Sequence, residues 1–198
     1  GGGRGALESH GVFLIRHADR AVPHFNNMIP TVLRSLALPE EARNDIPLSP
    51  LGLRQASELA DSMQHLSVAA IFCSPYLRTL QTAQAIAAAT NCRICVEPGL
   101  AEGPKHKAGW LPSVGERFRY FPEIDLDYEP LTEEPRHEWE DGDVVTRCLT
   151  LGSILTERFS QLQEQGAVIV VSHASVVLGL AAALTTEAQR FEAAARGG

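Results

Sequence analysis

Val12-Phe13-Leu14-Ile15-Arg16-His17-Ala18 is the stretch on which the fold turns. Four consecutive apolar residues read as a short buried strand, and the run stops on an arginine and a histidine. In open α/β sheets, ligands bind in the crevice beyond the carboxyl ends of the strands. Both side chains are therefore placed for anion chemistry, the arginine as a forked anion donor and the histidine as a nucleophile or base. An ordinary surface also carries such a pair. The residues at the ends of the other strands separate the two readings.

Outward from this run, extended and helical patterns alternate, the mark of a largely parallel sheet with helices on both faces. Residues 12–15, 68–72, 93–96 and 168–171 predict four strands. Ser49-Pro50 reads as an N-cap and first helical residue, opening a helix with Leu53, Ala56, Leu59, Ala60 and Met63 on its apolar side. Ser74-Pro75 reads as the start of a second helix through Ala89, lined by Leu77, Leu80, Ala83, Ala87 and Ala88. Asp141 or Asp143 caps a long helix toward Gln165, with Val144, Val145, Cys148, Leu155, Phe159 and Leu162 inward. Gly166 ends it. The expected fold is a three-layer α/β/α sandwich on a mostly parallel sheet.

Composition sets the class. At 198 residues the chain is expected to form one domain with a self-sufficient core. That domain is expected over 11–184, with proline- and aromatic-rich insertions at 18–47 and 103–140 and tails at 1–10 and 185–198. The opening Gly1-Gly2-Gly3-Arg4-Gly5 has no apolar signal region and reads as a flexible tail. A formal net charge of -7 argues against a general nucleic-acid binder and makes a cluster of arginines more notable. No stretch approaches the ~20 apolar residues of a membrane span. Of four cysteines, Cys92 and Cys95 have metal-like or redox-like spacing. No second pair completes a zinc site, and residues three apart in a strand face opposite sides. Reduced cysteines in a cytoplasmic protein are expected, with the nucleus also open.

The four strand ends carry one chemistry. The first ends at Arg16-His17, with Arg20 three residues on. The second leads through Cys73-Ser74-Pro75-Tyr76-Leu77 to Arg78, in the first turn of a helix. The third leads to Gly99-Leu100-Ala101-Glu102-Gly103, and the fourth ends at Ser172-His173. In a parallel sheet these ends share one edge. Three guanidiniums can hold three phosphoryl oxygens, and a helix start adds backbone donors. A neutral imidazole can attack phosphorus, and surrounding cations favour the neutral form. A carboxyl group can protonate the leaving oxygen, and a second imidazole can hold the equatorial oxygens. Taken singly, His173 also reads as a core histidine, Arg78 as a solvated helix residue, Glu102 as loop surface and Arg20 as a surface charge. Their joint placement favours the site.

Leu14-Ile15-Arg16-His17, Leu48-Ser49-Pro50-Leu51-Gly52-Leu53-Arg54-Gln55-Ala56, Ser74-Pro75-Tyr76-Leu77-Arg78-Thr79-Leu80-Gln81-Thr82-Ala83 and Val171-Ser172-His173-Ala174 occur in that order. Together they resemble the histidine phosphatase superfamily, the phosphoglycerate-mutase-like clan, across residues 11–184. The resemblance implies His17 as a phosphohistidine nucleophile, Glu102 as the acid, and Arg16, Arg78 and His173 in the phosphate pocket, with no metal or other cofactor. Arg-His-x-x-Arg, which includes Arg20, with Ser-His-Ala-Ser is most similar to the branch of the T-cell ubiquitin-ligand phosphatases and insect ecdysteroid-phosphate phosphatase. Ala18 stands where the family usually carries glycine. Thr185–Gly198 is polar and alanine-rich where relatives continue into another strand.

The leading expectation is a metal-independent phosphomonoesterase acting through phosphohistidine on a phosphorylated protein or small molecule. The alternative is a weak or inactive phosphatase-like module that binds a phosphorylated partner or scaffolds a complex. A phosphoglycerate mutase ranks third, because Ala18-Asp19-Arg20 replaces the mutase signature. No membrane or nucleic-acid partner is expected, and a homodimer or larger assembly is left open. Phe25, Trp110, Phe118, Tyr120, Phe121, Tyr128 and Trp139 read first as the insertions' own core and second as a slot for an aryl or steroid phosphate. Lys105, His106 and Lys107 read as a solvated charge run.

Overall fold

Apolar runs that alternate between two faces build the centre of the molecule. The computed structural model describes residues 11–21, 45–102, 111–132 and 141–196, with side chains omitted at 141–145, 163 and 187–196. Four strands, β1 (Val12–Arg16), β2 (Val68–Cys73), β3 (Ile94–Val96) and β4 (Ala167–Ser172), form one parallel sheet in the order β1-β4-β2-β3. Among the described residues five α-helices flank it: α1 (Pro50–Met63), α2 (Leu77–Thr90), α3 (Val114–Phe118), α4 (Asp141–Gln163) and α5 (Ala174–Arg196).

Each strand divides its side chains between two cores. Phe13, Ile15, Ile71, Cys73, Ile169 and Val171 pack with Met63 of α1 and with Leu77, Leu80, Ala83 and Ile86 of α2. Val12, Leu14, Ala70, Phe72, Val168 and Val170 pack on the opposite face with Cys148, Leu151, Leu155 and Phe159 of α4 and Val176 and Leu180 of α5. A parallel sheet buried on both faces needs this near-continuous hydrophobicity. The three-layer α/β/α sandwich is thus present. No described helix is long and apolar enough to cross a membrane.

Register sets the site. Arg16 pairs with Ser172, and Cys73 pairs with both Val171 and Val96. The next residues, His17, Ser74, Glu97 and His173, therefore leave the sheet from one edge. Along the outer side of β3, the Ile94 amide donates to the Glu123 carbonyl and the Asp125 amide to the Ile94 carbonyl, both at 2.9 Å.

Several local expectations shift. Ser49 does cap α1, its hydroxyl accepting from the Gly52 amide at 3.0 Å, and Pro50 opens the helix. The buried stripe of α1, however, runs through Gly52, Ala56, Ala60 and Met63, and Leu53 is half exposed. The reason is Gly52: a methyl group there would stand 2.0 Å from the Asp19 carbonyl oxygen, so this face of α1 turns toward residues 17–20. On α2, Ile86 is buried and Ala88 is exposed. Ser74-Pro75 does not open α2. The helix starts at Leu77, and its first amide donates to the Asp45 carboxylate at 2.8 Å, so the expected free donor there is already used. Asp45 is buried and also ion-paired with buried Arg117 of α3.

α4 ends at Gln163, and Gly166 follows with φ +152°, where any side chain would meet the Ser67 carbonyl. α5 runs through residues 185–196, which the sequence assigned to a tail; its apolar face, with Val176, Leu180 and Ala183 buried, continues the helix begun at Ala174. Phe121 is core, Phe118 packs against that core, and Tyr128 packs on Phe72, while Tyr120 is half exposed. Residues 1–10, most of the first insertion, residues 103–110 and 133–140 of the second, Phe25, Lys105, His106, Lys107, Trp110 and Trp139 lie outside the described residues.

Candidate active site

β1 delivers His17 to the carboxyl edge of the sheet, and its amide donates to the Ser172 carbonyl at 2.9 Å. The ring Nδ1 lies 2.7 Å from the carbonyl of Ala18. A carbonyl only accepts, so Nδ1 carries the proton and Nε2 of the neutral ring keeps its lone pair. Burial holds the His17 pKa below its ordinary 6.5, and the Arg78 and Arg16 guanidiniums add to this; the Ala18 carbonyl opposes it. The cations expected to neutralise this ring thus act second to desolvation.

The loop that carries His17 is held from three sides. The Ala18 amide donates to Thr82 Oγ1 at 3.2 Å, and Thr82 in turn donates to the Arg78 carbonyl at 2.9 Å. The Asp19 amide donates to Gln55 Oε1 at 2.9 Å. The Ser49 hydroxyl donates to Asp19 Oδ2 at 2.6 Å, and the Ser49 amide donates to the Asp19 carbonyl at 2.9 Å. The Ser49–Ala56 block is thus a cradle for residues 18–19. Sequence reasoning placed Gly52, Gln55 and Thr82 inside motifs without giving them this work.

His173, at the end of β4, is fully buried, and its ring stands 5.4 Å from that of His17 in an edge contact. Arg78 Nη2 lies 3.1 Å from His173 Nδ1. A guanidinium only donates, so Nδ1 accepts and Nε2 carries the proton to Ser74 Oγ at 2.9 Å. Burial first, and Arg78 second, push the His173 pKa well below 6.5. Both ring nitrogens are engaged, so His173 orients Arg78. A bond from His173 to a phosphoryl oxygen would require it to release one of these partners. Ser74, expected as a helix cap, is instead the residue that selects this tautomer.

Arg78 extends from the first turn of α2, nearly fully buried. Its Nη2 also lies 2.6 Å from Glu102 Oε2, and its carbon lies 4.5 Å over the Tyr76 ring. Glu102 Oε2 stands 3.8 Å from His173 Nδ1, and its side chain is 41% exposed. Tyr76 sets its ring edge against His173 at 4.9 Å. Burial pushes its hydroxyl pKa up to about 12, so it stays a donor.

The turn before Glu102 is anchored by Glu97. This fully buried carboxylate accepts from the Gly99 amide at 3.1 Å, Tyr128 hydroxyl at 2.8 Å, Leu131 amide at 2.8 Å, Thr132 amide at 3.2 Å and the Thr132 hydroxyl. Arg147 of α4 and Ser172 bind carbonyls of the same turn. None of these three carried a role in the sequence reading, because their partners are set by the fold.

A pocket of about 570 Å³ opens beside His17, and its lining includes Arg16, Arg20, Gln55, Leu59 and Thr82. Arg16 and Arg20 are exposed. His17 is the residue shared by this pocket and the Arg78–Glu102–His173 cluster. All six expected site residues thus gather at one sheet edge. Among the described residues, no group of three or more His, Cys, Asp or Glu side chains could hold a metal ion.

A histidine whose pKa is held below 6.5, set beside guanidiniums at the carboxyl edge of a parallel sheet, has the chemistry to meet an anion with an unprotonated ring nitrogen. The chain belongs to the histidine phosphatase superfamily, whose branch 1 matches residues 12–195. It is 27% identical to the ecdysteroid-phosphate phosphatase of Drosophila melanogaster over 84% of its own length and 26% of that protein's. It is also 27% identical to the human (Homo sapiens) ubiquitin-associated and SH3 domain-containing protein A, over 84% of its own length and 30% of that protein's. The chain thus spans less than a third of either relative. Its fold is that of the ecdysone phosphate phosphatase of Bombix mori solved with tungstate, with a TM-score of 0.72 and 24% identity over 87% of this chain and 76% of that one.

Proposed function

We propose that the protein is a metal-independent phosphatase that hydrolyses phosphomonoesters through a phosphohistidine on His17. The observation that carries this reading is the 2.7 Å bond from His17 Nδ1 to the Ala18 carbonyl, which leaves Nε2 of the neutral ring unprotonated, in a residue that lines one pocket with Arg16 and Arg20. Family membership and the phosphatases among its relatives support the activity.

The steps use these groups alone. Arg16, Arg20 and Arg78 hold the phosphoryl oxygens through charge-assisted bonds. An incoming oxygen replaces Glu102 at Arg78 Nη2 and turns the carboxyl group toward the leaving group. Once off Arg78, Glu102 takes a proton from the phosphate monoanion or from solvent; His17 Nε2 attacks phosphorus, the P–O bond to the leaving group breaks, and Glu102 passes that proton to the departing oxygen. Water then attacks the phosphohistidine, with the Glu102 carboxylate taking its proton. The P–N bond breaks and orthophosphate leaves. His173 keeps Arg78 aimed. The guanidiniums bring the positive charge that a metal ion would otherwise supply.

The test is hydrolysis of p-nitrophenyl phosphate by the protein and by His17→Ala, both with EDTA. Turnover by the first and none by the second is expected. Activity that survives in His17→Ala would overturn the mechanism. Folded protein that binds vanadate without turnover would favour a phosphate-binding module.

A further inference from the structure

Four successive backbone carbonyls in the turn that carries Glu102 are each taken by a side chain from elsewhere in the fold. Arg147 Nη1 donates to the Gly99 carbonyl at 2.8 Å and to the Ala101 carbonyl at 2.6 Å. Ser172 Oγ donates to the Leu100 carbonyl at 2.7 Å, and the Tyr76 hydroxyl donates to the Glu102 carbonyl at 3.3 Å. The turn's own bonds, from the Leu100 amide to Glu97 and from the Ala101 amide to Pro98, use the two carbonyls upstream. The following four are thus fixed from outside the turn, two of them by one nitrogen.

Arg147 comes from α4, while the other two donors stand at the sheet edge. Its guanidinium is set deep, and burial draws its pKa down to about 10. Placing a cation there costs desolvation that an apolar side chain would avoid. Two bonded carbonyls, one of them next to Glu102, indicate what the charge is for. Displacing a positioned catalytic group by ~1 Å can cost ~100-fold in rate.

We propose that Arg147 is a positioning residue for the acid: it fixes Ala101 and thereby the place from which the Glu102 carboxyl reaches Arg78 and the leaving oxygen. This rests on the reading of Glu102 as the general acid. As a positioning residue Arg147 acts through the turn, so its removal is expected to leave the arginines and His17 in place. The defect it produces is therefore specific to leaving groups that need a proton.

The experiment compares kcat/KM for p-nitrophenyl phosphate, whose leaving group departs unprotonated, with phenyl phosphate, whose leaving group does not. It uses the native protein, Arg147→Met, Arg147→Lys, Glu102→Gln and the Arg147→Met/Glu102→Gln pair, each confirmed as folded by its melting transition. General-acid catalysis is worth ~100-fold or more. Arg147→Met is expected to lose about tenfold more on phenyl phosphate than on p-nitrophenyl phosphate, with Arg147→Lys between it and the native protein. Glu102→Gln should show the same pattern more strongly, and the double variant should be no worse than Glu102→Gln alone. Equal losses on both substrates in Arg147→Met and Arg147→Lys, with Glu102→Gln selective, would overturn the positioning role and leave the mechanism standing. Equal losses in Glu102→Gln would overturn the acid assignment itself and the inference with it.

Discussion

Arg78 Nη2 stands 2.6 Å from Glu102 Oε2, so the carboxylate occupies a guanidinium position that a phosphoryl oxygen would need. The same nitrogen lies 3.1 Å from His173 Nδ1. Glu102, Arg78 and His173 are therefore linked in the free protein. In the proposed mechanism, substrate binding and the release of Glu102 become one exchange at a single nitrogen.

Glu102→Gln tests that exchange. A neutral amide competes less well than a carboxylate for the guanidinium, since bonds between two ions are about twice as strong as neutral ones. Orthophosphate is expected to inhibit Glu102→Gln more tightly than the native protein, while kcat on phenyl phosphate falls by roughly 100-fold or more. Weaker orthophosphate binding in the variant would show that Glu102 does not compete for Arg78.

The two histidines fix the response to acid. Burial holds both pKa values below 6.5, so at pH 6.5 the unprotonated form of His17, the one the proposed mechanism needs, is the major one. The acid limb of kcat/KM is expected to have its midpoint below that pH. Stability moves the other way from a group that gains a cation. The unfolded chain takes up protons on these rings near pH 6.5 while the folded chain does not, so stability present above 6.5 is lost as pH falls toward the folded values. The melting temperature should fall between pH 7 and pH 5, and fall less in His173→Gln. An unchanged slope in that variant would remove His173 as a source.

Gly52→Ala tests the cradle beneath His17. Its new methyl group would stand 2.0 Å from the Asp19 carbonyl oxygen, so residues 18–19 must shift. Rates are expected to drop by about 10- to 100-fold, given how steeply rate depends on alignment. Circular dichroism should still show a folded protein. Full activity would show that His17 is positioned without this contact.

Asp45→Ala addresses the scaffold. The substitution leaves buried Arg117 without its carboxylate and the Leu77 amide without its acceptor. Breaking a buried ion pair from one side costs about 3–5 kcal/mol. Urea unfolding should show a loss of that order, and a loss under ~1 kcal/mol would mean that Arg117 finds another partner.

The strands and their ends were legible because a sheet buried on both faces demands apolar runs, and each run here either stops beside a candidate site residue or leads within about six residues to one. Arg16, His17, Arg20, Arg78, Glu102 and His173 could be placed from that rule and from the family motifs. Ser74 was misjudged because serine before proline is a common local helix signal. The helix amide is capped instead by Asp45, distant in sequence and set in a proline-rich insertion. Leu53 was misjudged because its spacing fits the apolar stripe, while the close approach of Gly52 to Asp19 turns the helix by one position. Arg147 and Glu97 had no local signal, since their work is to bind a turn that only the assembled fold brings within reach.

In the sheet order β1-β4-β2-β3, the last of the described strands in the sequence is an inner one. β1 finds its neighbour only when Ala167–Ser172 slides between it and β2. During synthesis, His17 must therefore wait for almost the whole described chain before its partner histidine arrives. Closing so long a loop slows folding, and a ribosome that stalls before β4 releases a chain holding half of a histidine pair and an unfilled gap in its sheet.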